Sequence, residues 1–118
     1  MKLKKVVELL DANILNECYS EDTEVLSACG CDLMSDVLAF VKDQAVLLTG
    51  LLNLQTVRTA MMMDMVCVVF VRSKAPTEEM LELARESGIV IMTTDKRMYD
   101  ACGILYTNGL VSNRVKPI

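Results

Sequence analysis

Three stretches of the sequence are apolar at every position, without alternation between apolar and polar residues. They are AVLL at residues 45–48, VCVVFV at 66–71 and IVIM at 89–92. A strand with one face in water alternates with a period of two residues, whereas a strand covered by helices on both faces is a continuous apolar run. The pattern therefore predicts buried strands of a parallel sheet.

Helical patterns separate these strands. Thr77 follows Pro76 at a predicted helix start, with two glutamates in the first turn, and Gly88 lies where a helix end needs a left-handed residue. We predict helices over residues 3–11, 33–42, 53–63, 77–87 and 95–108, and strands over 14–18, 23–27, 45–49, 66–71 and 89–92. Strands separated by single helices imply right-handed crossovers, so we expect an α/β protein with a mainly parallel sheet.

Charge and hydropathy exclude two classes of partner. The formal net charge is −4 and the lysines and arginines are scattered among acids, so no extended basic face is available for a nucleic-acid backbone. The longest apolar stretch, residues 60–71, contains Asp64 and is well short of the roughly 20 residues that a membrane span requires. We expect neither nucleic acid nor membrane as a partner.

The cysteine count and the start of the chain suggest a compartment. Five cysteines are an odd number, and Met1-Lys2-Leu3 leads directly into a predicted helix without the apolar segment of a signal peptide. We therefore expect free thiols and a cytoplasmic location. The length predicts one domain over residues 1–110, followed by a tail at 111–118.

The stretch CGCDLMSD at residues 29–36 combines two cysteines and two aspartates at a predicted helix start. A structural metal or cluster site usually needs four ligands, but the chain has no histidine and its other cysteines are isolated, so we expect no metal and no cofactor. A redox pair of Cys29 and Cys31 is an alternative. We interpret Asp32 as the N-cap of the helix and Asp36 as a favourable first-turn charge rather than as an acid/base pair.

A candidate ligand site follows from the predicted topology. The ends of parallel strands share one edge of the sheet, where exposed amides and helix N-termini suit anions. The residues expected there are Thr49, Gly50, Asn53, Arg72, Ser73, Lys74, Thr94 and Lys96. The sequence has neither a Walker A loop nor a GxGxxG motif, and polar loops with threonine caps explain the same residues without a ligand.

Three consecutive methionines, Met61 to Met63, cannot all face one core, because successive helical residues are about 100° apart. Met62 follows Arg58 on the polar face of the predicted helix, so we expect exposed methionine there. Arg58, Met62 and Met63 are therefore a candidate interface with a second subunit or a partner. The alternative is that another segment of the same chain covers them.

Four stretches of the sequence together resemble a known family. VLSACGCDLMSDVLAF, VLLTGLLNLQTVRTAMMMD, VVFVRSKAPTEEMLELARESGI and MYDACGILYTNG resemble the DRTGG domain, over roughly residues 3–110. This domain occurs alone, in some phosphotransacetylases, between the CBS repeats of certain pyrophosphatases, and in relatives of the HPr kinase N-terminal domain. The glycine pair of the family name is replaced here by Ser27 and Ala28.

The resemblance implies a three-layer α/β/α sandwich, a tendency to form homodimers and a regulatory role without catalysis. It also suggests a partner protein related to hydrogenase or NADH dehydrogenase. The residues agree that the chain is not an enzyme, since they offer no histidine, no activated serine and no cysteine beside a base. We expect a non-catalytic regulatory or adaptor domain that acts as a homodimer; the alternative is a sensor of a nucleotide or phosphorylated metabolite at the strand ends.

Overall fold

The computed structural model describes residues 1–40 and 44–112. The helices are α1 (Leu3–Leu10), α2 (Met34–Phe40), α3 (Leu54–Met62), α4 (Glu78–Glu86) and α5 (Met98–Thr107). The strands are β1 (Asn13–Ile14), β2 (Ser27–Gly30), β3 (Ala45–Thr49), β4 (Cys67–Phe70) and β5 (Val90–Thr93). They form one sheet in the order β1-β5-β4-β3-β2, in which only β1 is antiparallel to its neighbour.

Helices cover both faces of this sheet, so the predicted three-layer α/β/α sandwich with a mainly parallel sheet is confirmed. The connections from β2 to β5 move in one direction across the sheet, and right-handed crossovers therefore place α2, α3 and α4 on the same face. We call these the three-helix layer. The two-helix layer consists of α1 and α5, which pack together on the other face.

The central strands supply a core to each layer, which explains their unbroken apolar sequences. Alternate residues of a strand point to opposite faces. Val69 and Met92 lie in the core beneath the two-helix layer, whereas Val68, Phe70 and Ile91 lie in the core beneath the three-helix layer. All five side chains are fully buried.

The two short strands predicted before residue 30 differ most from the structure. The strand predicted at 14–18 ends at Ile14, because the buried side chain of Asn16 takes over the pairing by donating to the Ile89 carbonyl at 2.9 Å and accepting from the Ile91 amide at 3.3 Å. The strand predicted at 23–27 lies later, at Ser27–Gly30, where it pairs in parallel with β3. Cys29 and Gly30 therefore form the end of this strand.

The ends of the later helices follow the predicted punctuation. Asn53 accepts a hydrogen bond from the Thr56 amide at 3.2 Å and caps α3, Thr77 caps α4 in the same way, and Gly88 has a positive φ of 71° after α4. The last helix begins at Met98, later than the predicted residue 95. The predicted end of α2 at residues 41–42 and the tail beyond residue 112 lie outside the described residues. In the described ranges, no helix has both the length and the apolar character to cross a membrane.

Candidate functional site at the strand ends

Turns from neighbouring parallel strands meet at one edge of the sheet, as the sequence predicted for the candidate site. Asp32 follows β2, Gly50 follows β3, and Arg72 and Lys74 follow β4. The ladder places the ends of β2, β3 and β4 side by side, because Gly30 pairs with Leu48 and Thr49 pairs with Phe70. The turns from distant parts of the sequence can therefore contact one another.

The carboxylate of Asp32 joins the first two of these turns. Its Oδ1 accepts a hydrogen bond from the Gly50 amide at 2.7 Å and another from the Thr49 hydroxyl at 2.8 Å. The Gly50 hydrogen bond, the Thr49 hydroxyl and the charges of Lys74 and Arg72 hold the pKa of Asp32 below its usual value, although partial burial acts in the opposite direction. The prediction that Asp32 is a helix N-cap was wrong, because α2 begins at Met34. Asp36 does lie in the first turn of α2, as expected.

The turn after β4 brings two cations to the same place. Lys74 donates from its Nζ to the Gly50 carbonyl at 2.8 Å. Arg72 is exposed, and one of its guanidinium nitrogens approaches Gly50 so closely that a Cβ built there would be 3.3 Å away. The backbone amide and the carbonyl of Gly50 thus contact an anion and a cation of the protein itself.

Backbone geometry fixes the position of this turn. Arg72 and Ser73 both have a φ of 58°, in the left-handed region that non-glycine residues rarely occupy. Their amides donate to the carbonyls of Lys96 and Thr94, each at 2.8 Å, and the hydroxyl of Thr93 donates to the Lys74 carbonyl at 2.9 Å. These bonds to the turn after β5 hold the unfavourable conformation in place.

Four of the eight predicted ligand residues come together, and the other four do not. Thr49, Gly50, Arg72 and Lys74 come together around Asp32, whereas Asn53 is occupied as the cap of α3. Ser73 and Thr94 line a separate depression of about 330 Å³, together with Asp11, Asn13, Thr93 and Asp95. Two carboxylates make that depression unfavourable for an anion.

Lys96 and Thr94 have structural contacts of their own. The Thr94 hydroxyl donates to the Leu10 carbonyl at 2.7 Å and accepts from the Lys96 amide at 3.3 Å, which ties the end of α1 to the turn before α5. Sequence reasoning missed the roles of Asp32 and Thr93 in this edge. Placing β2 at residues 27–30 would have shown that Asp32 follows a strand end, next to the turns that it joins.

The cysteines are all free thiols. Burial, reinforced by Cys31 and Cys102, raises the pKa of Cys29 to about 11, and burial alone raises the pKa values of Cys67 and Cys102. A thiol with a raised pKa is a poor nucleophile at neutral pH. Within residues 1–40 and 44–112, the side chains of His, Cys, Asp and Glu form no group that would hold a metal ion.

The residues of the predicted methionine interface lie at the C-terminal end of α3, away from the strand-end site. Met62 is 68 % exposed and Arg58 is exposed, while Met61 and Met63 are half-buried. A groove of about 360 Å³ beside this end is lined by Ala60, Met61, Asp64, Met65, Ser87 and Ile89. The helical geometry thus exposes Met62, as the sequence predicted.

Comparison with known proteins shows a similarity in fold. No protein-family model and no curated protein matches the chain. The fold is similar to that in the crystal structure of the CBS and DRTGG domains of the regulatory region of Clostridium perfringens pyrophosphatase, complexed with its activator diadenosine tetraphosphate. The TM-score is 0.75 at 13% identity, over 96% of this chain and 51% of that chain. The chain therefore spans about half the length of that structure, and the predicted DRTGG resemblance is confirmed at the level of the fold.

Proposed function

We propose that the chain is a non-catalytic regulatory or adaptor domain that acts as a homodimer. One observation carries the proposal: the strand-end turn of β3, where an open α/β sheet binds small ligands, is occupied by the protein's own Asp32. An incoming anion would have to displace this carboxylate from the Gly50 amide. The similarity in fold to the regulatory region of a pyrophosphatase supports the regulatory role.

A domain of this kind acts through the surfaces that it offers to other proteins. The predicted interface at Arg58, Met62 and Met63 is one such surface, because an exposed methionine adapts its shape to a partner at little cost. We propose that a partner protein binds there. The expected relation of that partner to hydrogenase or NADH dehydrogenase belongs to this proposal.

The test combines sedimentation velocity with a thermal-shift panel of AMP, ADP, ATP, dinucleotides and inorganic phosphate. An adaptor gives a dimer whose melting temperature is unchanged by every compound. A ligand at about 100 times its dissociation constant would add roughly 2.7 kcal/mol, which is on the order of ten degrees for a domain of this size. A saturable rise of that kind would overturn the adaptor in favour of a sensor, and a monomer would overturn the homodimer.

The second candidate function is a sensor of a nucleotide or phosphorylated metabolite. The observation in its favour is that Arg72 and Lys74 both approach Gly50, so an anion that displaced Asp32 would meet two positive charges and an amide. Replacing Asp32 by Asn removes the competing charge. Under this function the D32N variant should gain thermal stability from inorganic phosphate, and a variant with both Arg72→Ala and Lys74→Ala should not.

A further inference from the structure

The outer face of α5 carries an uncharged stripe of tyrosine and glycine. Tyr99 is 89 % exposed and Tyr106 is 63 % exposed, with the exposed Gly103 between them. At about 100° per residue these three positions lie within roughly 60° of one another around the helix. The single charged residue in the sequence of α5 is Asp100, at the border of the stripe.

No contact in the described part of the monomer requires a glycine at position 103. A Cβ built on Gly103 would meet nothing within 4 Å, so this chain leaves room for a side chain there. Glycine inside a helix is less favourable than alanine because it loses more backbone entropy on folding. What a missing side chain does allow is a closer approach of a second helix, since the distance between packed helices depends on the side chains at the contact.

The stripe has the same residue type at both ends. Tyr99 and Tyr106 each lie about 5 Å along the helix axis from their midpoint, which falls between residues 102 and 103. A two-fold axis through that point makes two α5 helices antiparallel and brings Tyr99 of each copy next to Tyr106 of the other. A two-fold interface requires this reciprocity, in which the same two positions meet twice.

We propose that two copies of this chain associate through antiparallel α5 helices that cross at Gly103, with Tyr99 of each copy packed against Tyr106 of the other. The four tyrosines would bury roughly 600 Å², so an interface of the standard size of about 1,600 Å² also requires contact by the surface that flanks them. This inference rests on the homodimer of the proposed function and assigns its surface. Tyrosine is also a residue type enriched at the centres of interfaces.

The first experiment uses Gly103→Leu, with sedimentation velocity over a concentration series. The leucine has open space in the monomer, so circular dichroism should be that of the wild type, whereas the dimer dissociation constant should rise about 30-fold or more. Met62→Glu tests the competing surface on the three-helix layer: it should leave the dissociation constant unchanged, and a rise would place the dimer at the methionines instead. A wild-type monomer would refute the homodimer and this interface together; a wild-type dimer that tolerates G103L would refute the α5 interface alone.

The second experiment tests which positions meet. Y99K and Y106E should each dimerise poorly, but an equal mixture should form a heterodimer, because the lysine introduced in one copy then lies beside the glutamate introduced in the other and the remaining tyrosines still pair. A mixture of Y99K with Y99E places neither charge beside the other and should stay weakly associated. Equal association in the two mixtures would overturn the antiparallel arrangement.

Discussion

The helix α4 of the three-helix layer and the helix α5 of the two-helix layer pack on opposite faces of one sheet, and their outer surfaces differ in charge. The sequence of α4 contains four glutamates and Arg85, and three of these glutamates border a groove of about 260 Å³ with Arg58 and apolar residues of α3 and α4. The sequence of α5 contains one charged residue and two exposed tyrosines. Charged side chains keep the surface of α4 hydrated. Covering the exposed aromatic rings of α5, in contrast, is favourable because it removes apolar surface from water.

The connectivity of the chain offers a reason for this difference. Each helix of the three-helix layer links two parallel strands, so its place is set by the crossovers and its outer face is free to be polar. The helix α5 follows the last strand and links it to no further strand among the described residues. The described crossovers therefore fix the places of α2, α3 and α4 but not that of α5.

The largest effects are expected from the two cores, which test whether both layers are needed for one cooperative fold. Phe70 and Met92 are fully buried on opposite faces of the sheet. We expect Phe70→Ala to cost about 3–5 kcal/mol and Met92→Ala about 2–5 kcal/mol of the free energy of unfolding. Urea denaturation followed by circular dichroism measures both. Two separate transitions in either variant would show that the layers unfold independently.

A second prediction concerns the close contact of β2 with the two-helix layer. A Cβ built on Gly30 would clash with the sulfur of Cys102 on α5. We expect Gly30→Ala to destabilise the protein by about 1–3 kcal/mol, since side chains packed too closely force shifts in their neighbours. Cys102→Ala removes the sulfur and should restore most of that loss in the double variant. A loss that persists in the double variant would place the cause in the backbone of β2 rather than in this contact.

The sequence predicted the central strands correctly and failed for β2, and burial explains both outcomes. The central strands are buried on both faces and therefore have apolar residues at every position, which made β3, β4 and β5 predictable. At the edge of the sheet, β2 consists of Ser27, Ala28, Cys29 and Gly30. These small residues form neither a continuous apolar run nor an alternation of apolar and polar residues. Gly30 is small because Cys102 approaches it, and that contact joins positions 72 residues apart that no local pattern relates.

The misinterpretation of Asp32 has a related cause. An aspartate just before a helix pattern is typical of an N-cap, and an aspartate just after a strand end can instead bind the turn of a neighbouring strand. The two cases have the same local sequence. They differ in the register of β2 and β3, which brings Asp32 to the amide of Gly50. In contrast, the exposure of Met62 followed from helix geometry alone and was correct.

The third prediction compares one hydrogen-bonded link in each layer. Thr94 joins the turn before α5 to the last carbonyl of α1 by a buried, uncharged hydrogen bond. Thr94→Val leaves this carbonyl without its partner and should cost about 1–3 kcal/mol. Because neither group titrates, the loss should be the same at pH 3 and pH 7. A loss that changed with pH would mean that the nearby carboxylates of the β5 turn contribute to the link.

The corresponding link between the turns before α2 and α3 consists of hydrogen bonds to a charged carboxylate near the surface, so Asp32→Asn should cost less, about 1 kcal/mol near neutral pH after allowance for screening by solvent. The pKa of Asp32 is lower in the folded protein than in the unfolded chain. Its stabilisation is therefore complete above the unfolded pKa of about 3.9 and disappears as the pH falls through the folded value. The difference between wild type and D32N should shrink toward zero in acid, which urea denaturation across pH 2–7 measures.

The smallest changes in stability are expected on the outer surfaces, where the two layers should differ only in association. Met62 and Tyr99 are both largely exposed, and replacing either by glutamate should change the free energy of unfolding of the monomer by no more than about 0.5 kcal/mol. Denaturation at a concentration below the dimer dissociation constant checks this equality. At higher concentration Tyr99→Glu should lose the extra stability that dimerisation gives, because a ligand or subunit that binds the native state stabilises it by mass action, whereas Met62→Glu should keep it. If Met62→Glu lost that stability and Tyr99→Glu kept it, the dimer would lie on the three-helix layer, and the uncharged surface of α5 would have to face another protein.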